Sequence, residues 1–324
     1  MIDNVTFLFP GQGAQYPEMG LDFYKEQSVE NVQNLFELAS EVFGRDMAEL
    51  LRNATPDELK RTDVSQPAIT LVNLAAAAYL AEKGIKPSAC AGFSLGEYAA
   101  LSVAGVFSAK DCFFLINERG KAMQAAIDNI QSSAGDGLAP GMAAVIGLDA
   151  GQVEALIAEW KIKETSVSDL YAANINSSKQ VVVSGSAAAL DEAEKRFKDS
   201  GARRVIRLQV AGPFHSPLMK DAADAFAPAL EKVTFNDPVI PVFSNVTGKL
   251  ITSGAHAKEL ALWHIIESVR WTDEQAALAA LQPNVLLEVG PGKVLQGLWK
   301  DTGSEVPCCT AGTIIEINKF LEEV

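Results

Sequence analysis

The feature that most constrains this chain is Gly92-Phe93-Ser94-Leu95-Gly96, set between a short run of small apolar residues, Ala89-Cys90-Ala91-Gly92, and a helix-forming stretch, EYAALSVAG. A serine in a G-x-S-x-G turn of this kind sits where a strand breaks abruptly into a helix. The glycines on either side let the two elements pack closely. The hydroxyl then projects above the sheet at the positive end of the following helix, and the amide of Leu95 is free to bind an oxyanion. The bland alternative is a serine in an ordinary Gly-rich turn. The strand before it and the helix after it favour the nucleophile, because that context is what such a motif requires.

The rest of the chain reads as alternating strands and helices, which predicts an α/β fold with a parallel sheet. Val5-Thr6-Phe7-Leu8-Phe9, ended by Pro10-Gly11, suits a buried central strand. Residues 28–51 and 67–83 read as helices, the second largely buried, and a further helix covers 109–127. Residues 128–141 form a polar, Gly-rich loop and a candidate boundary. Beyond it the order changes. Met142 to Leu148 is a strand, 149–160 a helix, 167–175 and 180–185 two strands joined by a Ser-Ser-Lys turn, 187–200 a helix, and Arg204 to Val210 a strand. The order βαββαβ is that of a split βαβ, ferredoxin-like unit. Residues 139–206 are therefore expected to be a small inserted subdomain, with 1–138 and 207–324 together forming the large one. The remainder returns to α/β: a helix near 219–233, a strand near 239–244, a helix near 257–267, a strand Val285 to Val289, the Gly-Pro-Gly-Lys turn at 290–293, and a last helix.

The chain has 324 residues, 48% of them apolar and 21% charged, which excludes a disordered chain. The length fits roughly two domains at about 150 residues each. With 27 Lys and Arg against 41 Asp and Glu, the net charge is −14. That balance argues against duplex nucleic acid as the main ligand, because phosphate binding needs a basic face. No uninterrupted apolar run approaches the roughly 18 residues of a membrane span, and the start has no basic, long apolar leader. Cys90, Cys112, Cys308 and Cys309 show no metal-binding or C-x-x-C spacing, so reduced thiols in a cytoplasmic protein are expected.

A nucleophilic serine needs a base, and there are three histidines. His256 lies in a polar loop. His264 sits among Leu260, Leu262, Trp263, Ile265 and Ile266 and reads as a packed helix residue. His215 follows a strand in Gly-Pro-Phe-His-Ser-Pro, stiffened by Pro213 and Pro217, where an α/β sheet usually builds its site. It is the candidate base. Arg119 falls on the apolar face of its helix, with Leu115 and Ile116 behind and Ala122 and Met123 ahead. A buried guanidinium keeps its charge and needs an anion. That anion is either a buried Asp or Glu, or the carboxylate of a substrate held bidentately. The Pro-Gly-Gln-Gly-Ala-Gln turn after the first strand lacks the Walker lysine and the full dinucleotide spacing. It could instead bring the Gln12 amide to the serine and complete an oxyanion hole with Leu95.

Together, GQGAQ near the start, GFSLGEYAAL around the serine, ERGKAM with the arginine, FHSPLM with the histidine and EVGPGKVL near the end resemble the malonyl-coenzyme A:acyl carrier protein transacylase family, the acyltransferases of fatty acid and polyketide synthesis. The resemblance runs from about residue 5 to 300 in the family's order. It implies an α/β-hydrolase-like large subdomain with the ferredoxin-like insertion. It also implies Ser94 as nucleophile, His215 as general base and acid, Arg119 as carboxylate clamp, and the Gln12 and Leu95 amides as the oxyanion hole. A main-chain carbonyl, here that of His264 before Val269-Arg270-Trp271, is implied to support His215 in place of an aspartate. Phe93 stands where the family usually has histidine, a departure that bears on pocket polarity and acyl choice. Phe214 matches an aromatic that goes with malonyl by crowding an α-methyl branch. Gln66, Asn174 and Asn176 match positions that line or support the site.

The activity so implied is ping-pong transfer of malonyl from malonyl-CoA to the phosphopantetheine thiol of acyl carrier protein. It needs no cofactor of its own, because the phosphopantetheine is on the partner. A monomer acting away from membranes and nucleic acid is expected. Carrier proteins are generally acidic, so a local basic patch is expected too, from Lys179, Arg203, Arg204, Lys293 and Lys300. Two other readings compete: a serine acyl hydrolase or thioesterase, and a non-catalytic docking subunit. The apolar-face arginine has no task in the first, and intact Ser94, His215 and Arg119 argue against the second.

Overall fold

The computed structural model describes residues 3–134, 139–163 and 167–323. Eight strands occur among them: β1 (Val5–Phe9), β2 (Ala89–Gly92), β3 (Gly141–Ile146), β4 (Tyr171–Ser177), β5 (Gln180–Gly185), β6 (Arg204–Arg207), β7 (Val285–Glu288) and β8 (Cys308–Thr310). They form two sheets. One is wholly parallel, in the order β2-β1-β7-β8, and the other is wholly antiparallel, in the order β4-β5-β3-β6. The fold is thus mixed α/β.

β1 is buried along its whole length because it lies between β2 and β7, with helices on both faces. The antiparallel sheet alternates instead. Ala143, Val145, Val181 and Val183 face the helices Ala150–Lys163 and Ala187–Asp199 and close a separate core with Leu190, Ala193 and Phe197. Met142, Ala144 and Val182 point the other way and join the main core. This period-two division buries one sheet face locally and docks the other on the rest of the chain.

Several elements depart from the sequence reading. The stretch 28–51 is two helices, Glu30–Phe43 and Met47–Asn53, parted at Gly44 and restarted by Asp46, whose carboxylate accepts from the Glu49 amide at 2.9 Å. The helix expected from 67 begins at Thr62, whose amide donates to Gln124 Oε1 at 2.9 Å, so Pro67 lies inside it. This Thr62–Glu82 helix is long and apolar enough to cross a membrane, but it packs almost entirely inside the fold. The helix expected to end at 127 continues to Ala134, so residues 128–134 of the expected loop are helical. Asp128 accepts from Gln124 Nε2 at 2.8 Å and Ile130 still packs on the core, and residues 135–138 lie outside the described ones. The strand expected at 239–244 is reduced to bridges from Val242 to Cys90 and from Phe243 to Leu250, because Pro238 and Pro241 supply no amide donors. β8 was not expected: three residues between Pro307 and Gly312 carry no readable alternation.

The elbow itself sets the tightest packing. A Cβ on Gly96 would collide with the carbonyl of Phe9 in β1, and one on Gly92 would collide with the backbone of Gly96. Gly297, in the Val294–Lys300 helix, has open space beside it. Gly96→Ala is therefore expected to lower stability by about 3 kcal/mol, whereas Gly297→Ala is expected to be neutral or to add up to ~1 kcal/mol. Denaturant midpoints of the two variants check this, and a Gly96→Ala midpoint equal to the wild type would contradict it.

Candidate active site

Ser94 sits in the left-handed region, φ 50°, between β2 and the helix Gly96–Val103. A non-glycine residue tolerates that conformation only when its surroundings impose it. Here the surroundings are Asn245. Its Oδ1 accepts from the Ser94 amide at 2.6 Å, and its Nδ2 donates to Gly92 O at 2.6 Å and to Glu274 Oε1 at 2.8 Å. The Asn245 amide donates in turn to Glu97 Oε2 at 2.6 Å. One side chain thus spans the elbow from both ends.

His215 is the second strained residue, φ 54°. Its loop is fixed by two hydroxyls: Ser216 Oγ donates to Pro213 O at 2.6 Å, and Ser184 Oγ of β5 donates to Phe214 O. The His215 Nδ1–H donates to the Glu267 carbonyl at 3.1 Å, since a carbonyl can only accept. The Nε2 lone pair therefore receives the Ser94 hydroxyl at 2.8 Å. That is the geometry of a base and its nucleophile. The carbonyl in hydrogen-bond contact is that of Glu267, three residues beyond the expected His264. The His264 carbonyl acts on the ring in the same direction as a second, weaker acceptor. The His264–Trp271 segment turns out of its helix at Trp263, which brings the later carbonyl round to the ring.

His215 is only 5% exposed. Burial, with His264 and Arg119 nearby, pushes its pKa down to about 3, against the partial support of the two carbonyls. The ring is a neutral base across the ordinary pH range.

Ser94, His215, Arg119, Gln12, Phe93, Phe214, Asn174 and Asn176 all line one cavity of about 200 Å³, closed on the far side by the antiparallel sheet through Met142 and Val182. β6 is shorter than expected: the Leu208 amide still donates to Met142 O of β3 at 2.9 Å, but Gln209 and Val210 leave the ladder, and Leu208-Gln209-Val210 form part of the same wall. Among the described residues neither the Gln12 nor the Leu95 amide is committed to a hydrogen bond. Gly11 presses on that turn so closely that a Cβ there would collide with Phe93 O and stand 3.4 Å from Leu95 N, so the residue before Gln12 packs against the Leu95 amide. Phe93 packs edge-on to the buried Trp271, with centroids 5.4 Å apart. Gln66 is fully buried behind the wall, donating to Met123 Sδ at 3.3 Å.

Arg119 is 1% exposed. Among the described residues no carboxylate comes within ion-pair distance of it, and its Nε has no partner. Its guanidinium lies against the Tyr98 ring, 5.5 Å from the centroid, and Nη2 donates to His264 Nδ1 at 3.4 Å. Burial pulls its basicity down, and Tyr98 and Glu97 oppose that. Of the two uses of Arg119 left open by the sequence, the direct ion pair with a buried acid is not made.

Among the described residues the His256 ring bonds only to Thr252, its amide donates to Ser253 Oγ, and it does not line the cavity. Lys179, Arg203 and Arg204 gather at one end of the antiparallel sheet, where Ile146 pairs with both Gln180 and Arg204. Lys293 and Lys300 lie on the parallel-sheet side, flanking the Val294–Lys300 helix. Asn245, Glu97 and Glu274 were not picked out from sequence. Glu97 carried a signal, an acid one helical turn after the serine and followed by Tyr98-Ala99-Ala100-Leu101. Asn245 ends an apolar run, and Glu274 reads as an ordinary first-turn acid. Burial and the Glu97 charge push the Glu274 pKa well up, so it holds its proton beside Asn245.

A family model described as the acyl transferase domain matches residues 6–319. The malonyl CoA-acyl carrier protein transacylase of Bacillus subtilis (strain 168) is 36% identical over 299 residues, covering 92% of this chain and 90% of that one. The protein of the same name from Escherichia coli (strain K12) is 38% identical over 296 residues, covering 91% of each. A malonyl-transacylase solved in complex with its type II PKS acyl-carrier protein is 33% identical with a TM-score of 0.88, covering 99% of this chain and 100% of that one. A serine hydroxyl hydrogen-bonded to a buried histidine, within a chain matched along nearly its whole length, leads to one conclusion: the protein belongs to the acyl transferase domain family.

Proposed function

We propose that the protein transfers a malonyl group from malonyl-CoA to the phosphopantetheine thiol of an acyl carrier protein, supplying malonyl thioester for fatty acid or polyketide synthesis. The observation that carries the reading is Arg119: a buried guanidinium, free of any carboxylate among the described residues, facing the same cavity as Ser94 and His215. A cation so placed costs several kcal/mol unless an anion completes it. The free carboxylate of a malonyl group is such an anion. The relatives' names support the same substrates. A hydrolase of neutral acyl groups leaves Arg119 without a task.

The chemistry follows from the hydrogen bonds. His215 Nε2 takes the Ser94 proton while Oγ attacks the thioester carbonyl. The Gln12 and Leu95 amides hold the oxyanion, each such donor being worth ~3 kcal/mol. Coenzyme A leaves with the proton from His215, and the malonyl group stays on Ser94 with its carboxylate on Arg119. The carrier-protein thiol then gives its proton to His215 and attacks the ester, and Ser94 departs with that proton. Every group the reaction needs is on the chain or its substrates, so no resident cofactor enters. Asn174 and Asn176 serve the substrate's polar middle, Phe214 the crowding of an α-branch, Phe93 the pocket wall and Gln66 its backing.

In this reading 1–138 and 207–324 form an α/β-hydrolase-like subdomain and 139–206 a ferredoxin-like insertion, which the separate small core and the strand order β4-β5-β3-β6 support. Lys179, Arg203 and Arg204 receive the acidic carrier protein. The four free cysteines fit a reducing, cytoplasmic setting, and the protein acts as a monomer apart from membranes and nucleic acid.

Three outcomes are expected. Brief exposure to malonyl-CoA adds one malonyl mass to the wild type, which carrier protein discharges, and none to Ser94→Ala; discharge by water as fast as by carrier protein would indicate a hydrolase. Arg119→Ala slows malonyl transfer about 100-fold or more relative to acetyl transfer, two charge-assisted hydrogen bonds being lost; equal losses would remove the clamp. Because the folded His215 stays unprotonated far below its ordinary value, the acylation rate is flat from pH 7.5 to about 5.5. Quenched-flow mass measurements showing half the rate lost near pH 6.5 would mean that the base is not depressed. The same shift means the unfolded chain binds a proton the folded one does not, so stability from this group falls as pH drops from about 6.5 towards 3.

A further inference from the structure

We propose that the side chain of His264 is a positioning residue for acyl-group choice, joining the Arg119 guanidinium to the Glu97 carboxylate and thereby fixing the direction in which the clamp points. The inference rests on the malonyl-transfer reading and extends it to a residue whose side chain the reaction itself does not use.

His264 is 1% exposed and caps the Gly254–Trp263 helix. Its Nδ1 lies 3.4 Å from Arg119 Nη2, and its Nε2 lies 3.5 Å from Glu97 Oε2, an electrostatic approach rather than a formed hydrogen bond. A guanidinium has no lone pair to offer, so Nδ1 accepts and the ring proton sits on Nε2, facing the carboxylate. The ring is pinned edge-on by Tyr98, centroids 5.6 Å apart, and by His215 at 5.8 Å. Guanidinium, imidazole and carboxylate thus stand in series through the core.

The spacer matters chemically. A carboxylate paired directly with Arg119 would occupy the planar fork that a bidentate substrate needs. With an imidazole between them, Glu97 compensates the buried positive charge from a distance, while only one donor, at Nη2, is taken by the ring and Nε stays without a partner. Glu97 is also the acceptor of the Asn245 amide, and Asn245 holds the Ser94 amide. The clamp for the acid end of the substrate and the nucleophile for its thioester end therefore hang from one rigid frame. His264 is the joint that sets their register.

The test compares kcat/KM for malonyl-CoA and acetyl-CoA in the wild type, His264→Ala, His264→Phe, His264→Gln and Arg119→Ala. Loss of the lone pair in His264→Ala is expected to lower the malonyl-to-acetyl ratio about ten-fold, chiefly through the malonyl KM. His264→Phe keeps the ring packing without the lone pair. It is expected to match Ala, and it carries the test if truncation unfolds the chain. His264→Gln again offers a carbonyl to Arg119 and an N–H toward Glu97, so it is expected to recover most of the ratio. Equal losses for both acyl groups, or an unchanged ratio, in both Ala and Phe variants would overturn the proposal, provided Arg119→Ala still collapses the ratio. An unchanged ratio in Arg119→Ala would instead overturn the clamp reading and this inference with it.

Discussion

The structure depends on holding one residue, Ser94, in a backbone conformation that it would not choose. Left-handed φ at a non-glycine costs of order 1–3 kcal/mol and persists only where neighbours over-determine it. Asn245 does this with three hydrogen bonds, two of them to the main chain on either side of Phe93. The consequences spread outward. Because Oδ1 takes the Ser94 amide, that amide is not available to an oxyanion, whereas the Leu95 and Gln12 amides carry no hydrogen bond among the described residues. Because the turn is so tight, Gly92 and Gly96 must lie against each other and against Phe9, which places the PGQG loop beside the serine.

Beneath the elbow lies a buried polar layer whose charges are few and separated. Glu274 holds a proton, Asn245 is neutral, and the His264 ring accepts at one nitrogen. What remains is the Glu97 carboxylate and the Arg119 guanidinium, held apart by an imidazole. Such a layer is costly unless each group finds partners. Here the partners lie on four different segments of chain, around residues 94–97, 119, 245 and 264–274, so the site forms only when the whole fold does.

The sequence made the chemistry legible because that chemistry sits in short, local signals. Gly92 to Gly96 carried its own context, and Pro213 and Pro217 marked His215 as rigid. Arg119 betrayed itself by falling on an apolar helix face. What was not legible was set by distant pairing. Whether the His264 or the Glu267 carbonyl meets His215 depends on how the chain leaves the helix after Trp263, which no spacing reveals. The 239–244 segment looked like a strand by composition, yet two prolines left it only bridges. The helix ending at Ala134 outran the polar composition that seemed to stop it, because Ile130 still had a core to meet.

Val269 bridges Asn174 of β4, its amide donating to Ala173 O and its carbonyl accepting from Ile175, each at 2.8 Å. It stands two residues after the carbonyl that orients His215 and two before the Trp271 that backs Phe93. Meanwhile Ser184 of β5 holds the carbonyl of Phe214, next to the same histidine. Ser94 thus hangs from the end of β2 in the parallel sheet, while His215 is tethered through Ser184 and through the 267–269 segment to the antiparallel one. The 2.8 Å contact between Ser94 and His215 therefore spans the seam between the two sheets, and the Arg270 amide, donating to Asn245 O at 2.8 Å, stitches that seam beside it.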